Sequence, residues 1–369
     1  MNRSRISSMA FSAAGGIFLA FCAFVSPASA GTTPKFAYIA DYYANDIAVY
    51  SVNSSTGQLT PVDGMPFTST GMDPFSITVD PSGKFVYATN YVSNDISAFT
   101  INSSTGALTP VSGGPFKAGT NPMSLAIDPS GKYAYVANYH SDNVWAYSID
   151  KATGALTPVK GSPFAAGSYP SSVAVSPSGK FVYVGNYNGA SVSVYSVNGA
   201  TGALTPLPGS PFATGQNPLS IVLDPAGKLV YVANYGSSDV WVYDVNKKSG
   251  ALTPITASPF KTGANPFCIA LDPAGKLAYV ANYGGANLSA FTVAATGALT
   301  PVSGSPYRLG QAPMSVAVDP SGKFVYAANA GSNNIMAFTI NSSTGGLTPI
   351  KGSPYSHDAT PFAVAIAGQ

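Results

Sequence analysis

The chain contains no glutamate, and charged residues of any kind make up only 9% of its 369 positions. No glutamate base or glutamate metal ligand can therefore exist in it. Histidine is almost as scarce, with His140 and His357 the only two. Two cysteines, Cys22 and Cys268, and two tryptophans, Trp145 and Trp241, complete the scarce residues. Long hydrophobic runs are lacking as well. The longest, Ile17 to Val25, is too short to cross a bilayer. It follows Arg3 and Arg5 and precedes Ala28-Ser29-Ala30, a small-residue cleavage pattern, so residues 1–30 are predicted to be a signal peptide. Phe21 before Cys22 is too bulky for the usual lipid-attachment motif. The expected mature protein, residues 31–369, is exported to the periplasm or beyond, with no membrane span.

Removing Arg3 and Arg5 leaves 15 basic residues against 15 aspartates. That balance argues against nucleic acid or an anionic membrane as the main partner. Cys268 is the sole cysteine of the expected mature chain, so no internal disulfide is available to it even in an oxidising compartment. Stability must come from a hydrophobic core, and 46% apolar residues can supply one.

What the chain does have is repetition. A phrase close to Thr-Gly-Ala-Leu-Thr-Pro recurs seven times, with its final prolines at 61, 110, 158, 206, 254, 301 and 349. The spacings are 49, 48, 48, 48, 47 and 48 residues. A period of this length marks a repeat architecture. The 38 glycines and 30 prolines fall largely at fixed repeat positions and so mark turns rather than disorder.

One unit, Pro122 to Val159, shows the physics. Ser124–Ile127 is a short apolar strand. Asp128-Pro129-Ser130-Gly131 is a tight turn, with proline presetting φ and glycine relieving the last position. Lys132–Asn138 is a strand apolar on both faces, and Tyr139–Asn143 a polar loop. Val144–Ile149 is rich in aromatic and β-branched residues, a third strand. After a glycine turn, Leu156–Val159 forms a short outer strand, and Gly161-Ser162-Pro163-Phe164 opens the connection to the next unit.

Four antiparallel strands in each of seven units, with no helical period, predict an all-β, seven-bladed β-propeller. The chain ends favour a closed ring over a solenoid. The first unit lacks its inner strand and starts with the second, Phe36–Asp41. The chain ends on an orphan inner strand, Phe362–Ala367. The C-terminal strand is thus expected to complete the N-terminal blade, where a solenoid would need polar caps.

Antiparallel order then sorts the connections onto two faces. The Asp-Pro and Thr-Gly turns share one end, where lysines such as Lys84 and Lys132 follow the Asp-Pro turns. The Asn-Tyr loops and Ser-Pro-Phe connections share the other end, the loop face. What every blade repeats is expected to be structural, and what breaks the repeat is a candidate for function. The ring Asp41, Asn90, Asn138, Asn186, Asn234, Asn282 and Asn329 reads as a metal or glycan collar, or as side chains that cap their own loops. The tyrosines that follow it, Tyr139 among them, stack on a sugar or pack between blades. The repeat breakers are His140, Asp142, Arg308, His357, Lys117, Lys261, Trp145 and Trp241. His140 with Asp142 is a candidate base and its orienting carboxylate. Arg308 is a candidate clamp for a carboxylate or phosphate. His357, Lys117, Lys261, Tyr139, Trp145 and Trp241 are candidate ligand contacts. Each also has a plain structural reading as a solvated or packing residue. Cys268 replaces a serine on an inner strand with no histidine in its loop, which disfavours a nucleophile.

The strings Tyr135-Val136-Ala137-Asn138, Tyr231-Val232-Ala233-Asn234 and Tyr279-Val280-Ala281-Asn282 resemble the YVTN repeat. Taken with the Asp-Pro-x-Gly-Lys before and the Thr-Gly-x-Leu-Thr-Pro after, the mature chain is similar to the lactonase-like seven-bladed propellers, a group that includes bacterial 6-phosphogluconolactonase. The resemblance implies a lactonase activity and His or Arg after the proline that opens certain inner strands. Here those positions hold Phe75-Ser76, Met123-Ser124, Ser171-Ser172, Leu219-Ser220, Phe267-Cys268, Met314-Ser315 and Phe362-Ala363. Two functions are therefore expected to compete: a recognition scaffold whose loop face holds a lactone, glycan or protein ligand, and a lactone hydrolase. No cofactor or metal is expected, and the protein is expected to be a monomer.

Overall fold

The computed structural model of the protein describes residues 34–68, 71–357 and 359–368. The expected signal peptide lies outside the described residues, as do Cys22 and Asp358.

The described chain is all β apart from two single-turn 3₁₀ segments, Tyr139–Ser141 and Ala330–Ser332. It forms seven separate antiparallel sheets arranged as blades. Blade 3 shows the plan: Pro122–Ile127 inside, then Tyr133–Asn138, Asn143–Ile149 and Leu156–Pro158 at the outer edge. In blades 2 to 7 each second strand is buried along its whole length, which explains why it reads as apolar on both faces. The Ser-Pro-Phe connections add a detail that the periodicity hides. Their Phe-x pair, such as Phe164–Ala165, forms a two-residue strand on the unused half of the third strand.

Ring closure follows the expectation. Pro361–Gly368 pairs antiparallel with Pro34–Asp41, so the last strand is the inner strand of blade 1. Neighbouring blades share no sheet and are held by side chains. Apolar clusters fill each wedge, as where Tyr87 and Phe85 of blade 2 pack with Val136 and Tyr147 of blade 3. Polar ties add to this. Tyr87 Oη donates to Gly154 O of the next blade at 2.9 Å, and Tyr326 Oη donates to Gly57 O at 2.8 Å across the closing seam. Each such bond contributes about 0.5–1.5 kcal/mol net. One tie is missing for a visible reason. The repeat between Pro254 and Pro301 is one residue short, in the turn at Ala294–Gly297, and Tyr231, whose hydroxyl would point there, is buried without a hydrogen-bond partner.

A second belt runs round the inner strands. Ser124 Oγ accepts Val173 N–H of the next blade at 3.2 Å. Ser172, Ser220, Cys268 and Ser315 accept the corresponding amides at 3.2 Å. Cys268 thus holds a belt position, with its sulfur accepting Val316 N–H. The belt spans the seam through Ser315 and is open on either side of blade 2, where blade 1 offers Ala363, which has no hydroxyl, and Ser76 Oγ is buried without a hydrogen-bond partner.

Candidate functional site: the loop face

The loop face is built at three radii. Nearest the axis, the residue after each opening proline is Phe75, Met123, Leu219, Phe267, Met314 or Phe362, all buried in one cluster with Tyr42, Tyr139 and Tyr187. Rings meet there directly: Tyr42 stacks on Phe362 at 4.6 Å, and Phe75 on Tyr91 at 5.3 Å. Blade 4 breaks this collar with Ser171, whose hydroxyl turns back to Gly185 O (2.9 Å) and Pro218 O (2.7 Å). The collar tyrosines pack between blades, and burial pushes the phenols of Tyr42, Tyr139 and Tyr187 upward.

Further out lies the Asx ring. Asn138 Nδ2 donates to Asn143 Oδ1 at 3.0 Å, and Asn138 Oδ1 accepts Gly119 N–H at 3.1 Å. Asn90 and Asn234 make the same bond to Asp95 (2.6 Å) and Asp239 (2.9 Å). Each side chain therefore closes its own loop.

Blade 1 departs from this pattern. Asp41 stands in the asparagine position and faces Asp46, so no amide proton is available to join them. His357 supplies a partner instead: its Nε2 lies 2.6 Å from Asp41 Oδ1, and its Nδ1 lies 2.8 Å from Tyr50 Oη. This His–carboxylate contact is buried, with Asp41 1% and His357 7% exposed. Burial first, then the hydrogen bond to Asp41 and its charge, push the Asp46 carboxyl up to about 7, against a lowering by His357. Asp46 thus holds a proton between the two carboxylates on the acid side of neutrality. Asp41 was legible as a ring member, but its union with His357 and Asp46 was not. No group of three or more His, Cys, Asp or Glu among the described residues is arranged to hold a metal ion.

The repeat breakers lie apart. His140 is exposed in the blade 3 loop, and its Nδ1 meets Asn121 Oδ1 at 2.7 Å. Asp142, in the left-handed conformation at φ 49°, turns its carboxylate to Tyr169 N–H at 2.7 Å rather than to His140. His140 instead packs edge-on against Tyr139 (4.9 Å) and Tyr169 (5.3 Å). Lys117, Lys261 and Arg308 occupy one repeat position, exposed on the short fifth strands of blades 2, 5 and 6. Those strands pair with the third strand, away from the axis, so these cations stand at the blade rims. Arg308 and His140 belong to blades on opposite sides of the ring. Trp145 and Trp241 are half-buried on third strands, stacked on Tyr147 (5.9 Å) and Tyr243 (6.0 Å) and packed against the apolar filling between blades.

Seven four-stranded antiparallel blades closed by the C-terminal strand define a seven-bladed β-propeller. The chain belongs to the family described as lactonase, 7-bladed β-propeller, whose sequence profile matches residues 30–167, 160–270 and 260–364. Solved structures share the fold at low identity. A putative 6-phosphogluconolactonase from Bacteroides fragilis is 23% identical, with a TM-score of 0.77 over 90% of this chain and 98% of that one. The periplasmic gluconolactonase of Pseudomonas aeruginosa is 18% identical, with a TM-score of 0.77 over 90% and 99%. Hydrazine synthase from Kuenenia stuttgartiensis, 21% identical, has a TM-score of 0.60 over 82% and 96%. No curated protein matches the chain. No helix among the described residues is long and apolar enough to cross a membrane.

Proposed function

We propose that the protein acts after export as a recognition scaffold that presents its loop face to a glycan, peptide or protein ligand. The observation that carries this reading is the collar. Around the axis it holds phenyl, thioether, isobutyl and phenol groups, while Lys117, Lys261 and Arg308 stand at the rims. Opening a lactone requires an activated water and donors for the developing oxyanion. A phosphorylated lactone also requires a cation beside its phosphate. The collar side chains are buried on one another, and the half-buried tyrosines beside them, Tyr91, Tyr169, Tyr235 and Tyr283, offer surface for stacking instead.

A second reading, hydrolysis of an uncharged lactone, is favoured by the family and by His140 on the same face. The discriminating experiment is lactone hydrolysis by the purified mature protein, on glucono-δ-lactone and its 6-phosphate. The recognition reading expects the spontaneous rate on both. Turnover above that rate, lost in His140→Ala, would replace it with the hydrolase reading.

A further inference from the structure

The loop face is not equally furnished round the ring. Two residues after each Asx-ring position, blades 1 to 3 carry Tyr43, Val92 and His140, blade 4 carries Asn188, and blades 5 to 7 carry Gly236, Gly284 and Gly331. The connection into blade 2 adds Met72, where blades 3 to 7 have Thr120, Ser168, Gln216, Ala264 and Gln311. Tyr43, Met72 and Val92 are the exposed large hydrophobic residues among those described, at 56%, 53% and 42% exposure. They are also neighbours. Val92 N–H donates to Met72 O at 3.3 Å, Met72 N–H donates to Ser93 Oγ at 2.9 Å, and Asp73 N–H donates to Asn45 Oδ1 at 2.6 Å. A grouped exposed apolar patch on an otherwise small and polar surface marks an interaction site.

The patch surrounds a carboxylate. Asp73 stands where blades 3, 5 and 6 have Asn121, Asn217 and Asn265, so its charge is not needed for the turn. It adopts the same left-handed conformation as those asparagines, φ 56° against 53–55°. Burial raises the Asp73 carboxyl above the usual carboxylate range, while a hydrogen bond from Tyr42 lowers it. A cation placed beside it would relieve that strain on its charge. Asp41 and Asp239 are buried and Asp46 holds a proton on the acid side of neutrality, whereas Asp73 is only half-buried, so a cationic partner complements the charge at the centre of this arc.

We infer that the blade 1–2 arc of the loop face, Tyr43, Met72 and Val92 around Asp73, docks a polypeptide segment in which a lysine or arginine is flanked by apolar side chains. This rests on the reading of the loop face as a recognition surface, and it names the arc and the chemistry of the partner. The apolar side chains cover Met72 and Val92, and the cation meets Asp73.

The repeat itself supplies variants that keep the fold: Met72→Gln as in blade 5, Asp73→Asn as in blade 3, and Val92→Gly as in blades 5 to 7. The probes are blocked hexapeptides of alternating leucine and arginine, or of leucine and glutamine, titrated calorimetrically into the mature protein at low salt. The arginine peptide is expected to bind severalfold more tightly than the glutamine peptide, the gain expected of one partly exposed charge contact. Asp73→Asn and Met72→Gln should each weaken it severalfold, and Asp63→Asn, which removes an exposed charge outside this arc, should not. Equal binding of the two peptides, or equal effects of Asp73→Asn and Asp63→Asn, would overturn the inference. Absence of binding by either peptide would overturn it too. The recognition reading fails separately, through lactone turnover that His140→Ala abolishes.

Discussion

The two ends of this propeller are made from the same seven repeats, yet they treat irregularity in opposite ways. The turn end is nearly uniform. Asp80, Asp128, Asp224, Asp272 and Asp319 each accept backbone N–H groups within their own turn, as Asp128 does from Lys132 (2.7 Å) and Tyr133 (2.6 Å). The Thr-Gly turns press on the neighbouring blade with no room to spare. At Gly154, φ is +78° and an added Cβ would lie 2.5 Å from Phe85 Cδ1. The loop end keeps the asparagine of its Asx ring and the apolar residue of its collar in all but one blade each, blade 1 with Asp41 and blade 4 with Ser171, and varies the rest. Tolerance at that end follows from its contacts: His140, Met72 and Val92 touch solvent, whereas Gly154 touches a packed ring. One end holds the blades together, and the other is available to be specialised.

The seam between blades 7 and 1 is the exception that tests this division, because its irregular residues are buried. His357→Ala would leave the Asp41 carboxylate enclosed without its partner, and breaking a buried pair in this way costs about 3–5 kcal/mol. Denaturant unfolding at pH 7 would measure it. Gly154→Ala at the turn end combines an unfavourable φ with overpacking and should cost about 2–4 kcal/mol in the same experiment. Ser124→Ala would strip Val173 N–H of its acceptor and should cost about 1–2 kcal/mol. Arg308→Ala, at an exposed blade rim, should change stability by less than about 0.5 kcal/mol.

The seam also predicts a pH dependence. The folded protein raises the Asp46 carboxyl from the ordinary 3.8 to about 7, so between those values the folded state holds a proton that the unfolded chain has lost. This contribution favours folding on the acid side, declines as the pH rises towards 7, and is constant above. Asp46→Asn removes the titration, so unfolding curves of that variant at pH 5 and pH 8 should differ less than those of the parent. An equal difference in both would place the titration elsewhere.

The fold was legible because every blade states it again. Seven copies of an Asp-Pro turn, an aromatic strand and a Thr-Gly turn leave little room for another architecture, and the missing first strand with the orphan last one disclosed ring closure. Even the 47-residue spacing left a trace, in the unpartnered hydroxyl of Tyr231. Most of the loop face was legible only as a set of positions. His140 and Asp142 are two residues apart, which suggested a pair, but the left-handed turn at Asp142 points its carboxylate to Tyr169. Asp41 and His357 are 316 residues apart and meet only because the last strand completes the first blade. Met72 and Val92 carry no signal in the sequence, because each is an ordinary loop residue. Comparison with its counterpart in the other blades is what makes it unusual.

Outside the buried seam, the irregular loop-face residues are not there to hold the fold. The thermal melting of one variant tests this: Tyr43→Asn, Met72→Gln, Asp73→Asn, Val92→Gly and His140→Gly combined, each residue taken from the same position in another blade. The melting temperature is expected to lie within about 2–4 °C of the parent, the shift that about 1 kcal/mol produces in a domain of this size class. A fall of about 10 °C or more would contradict it and make these residues part of the scaffold.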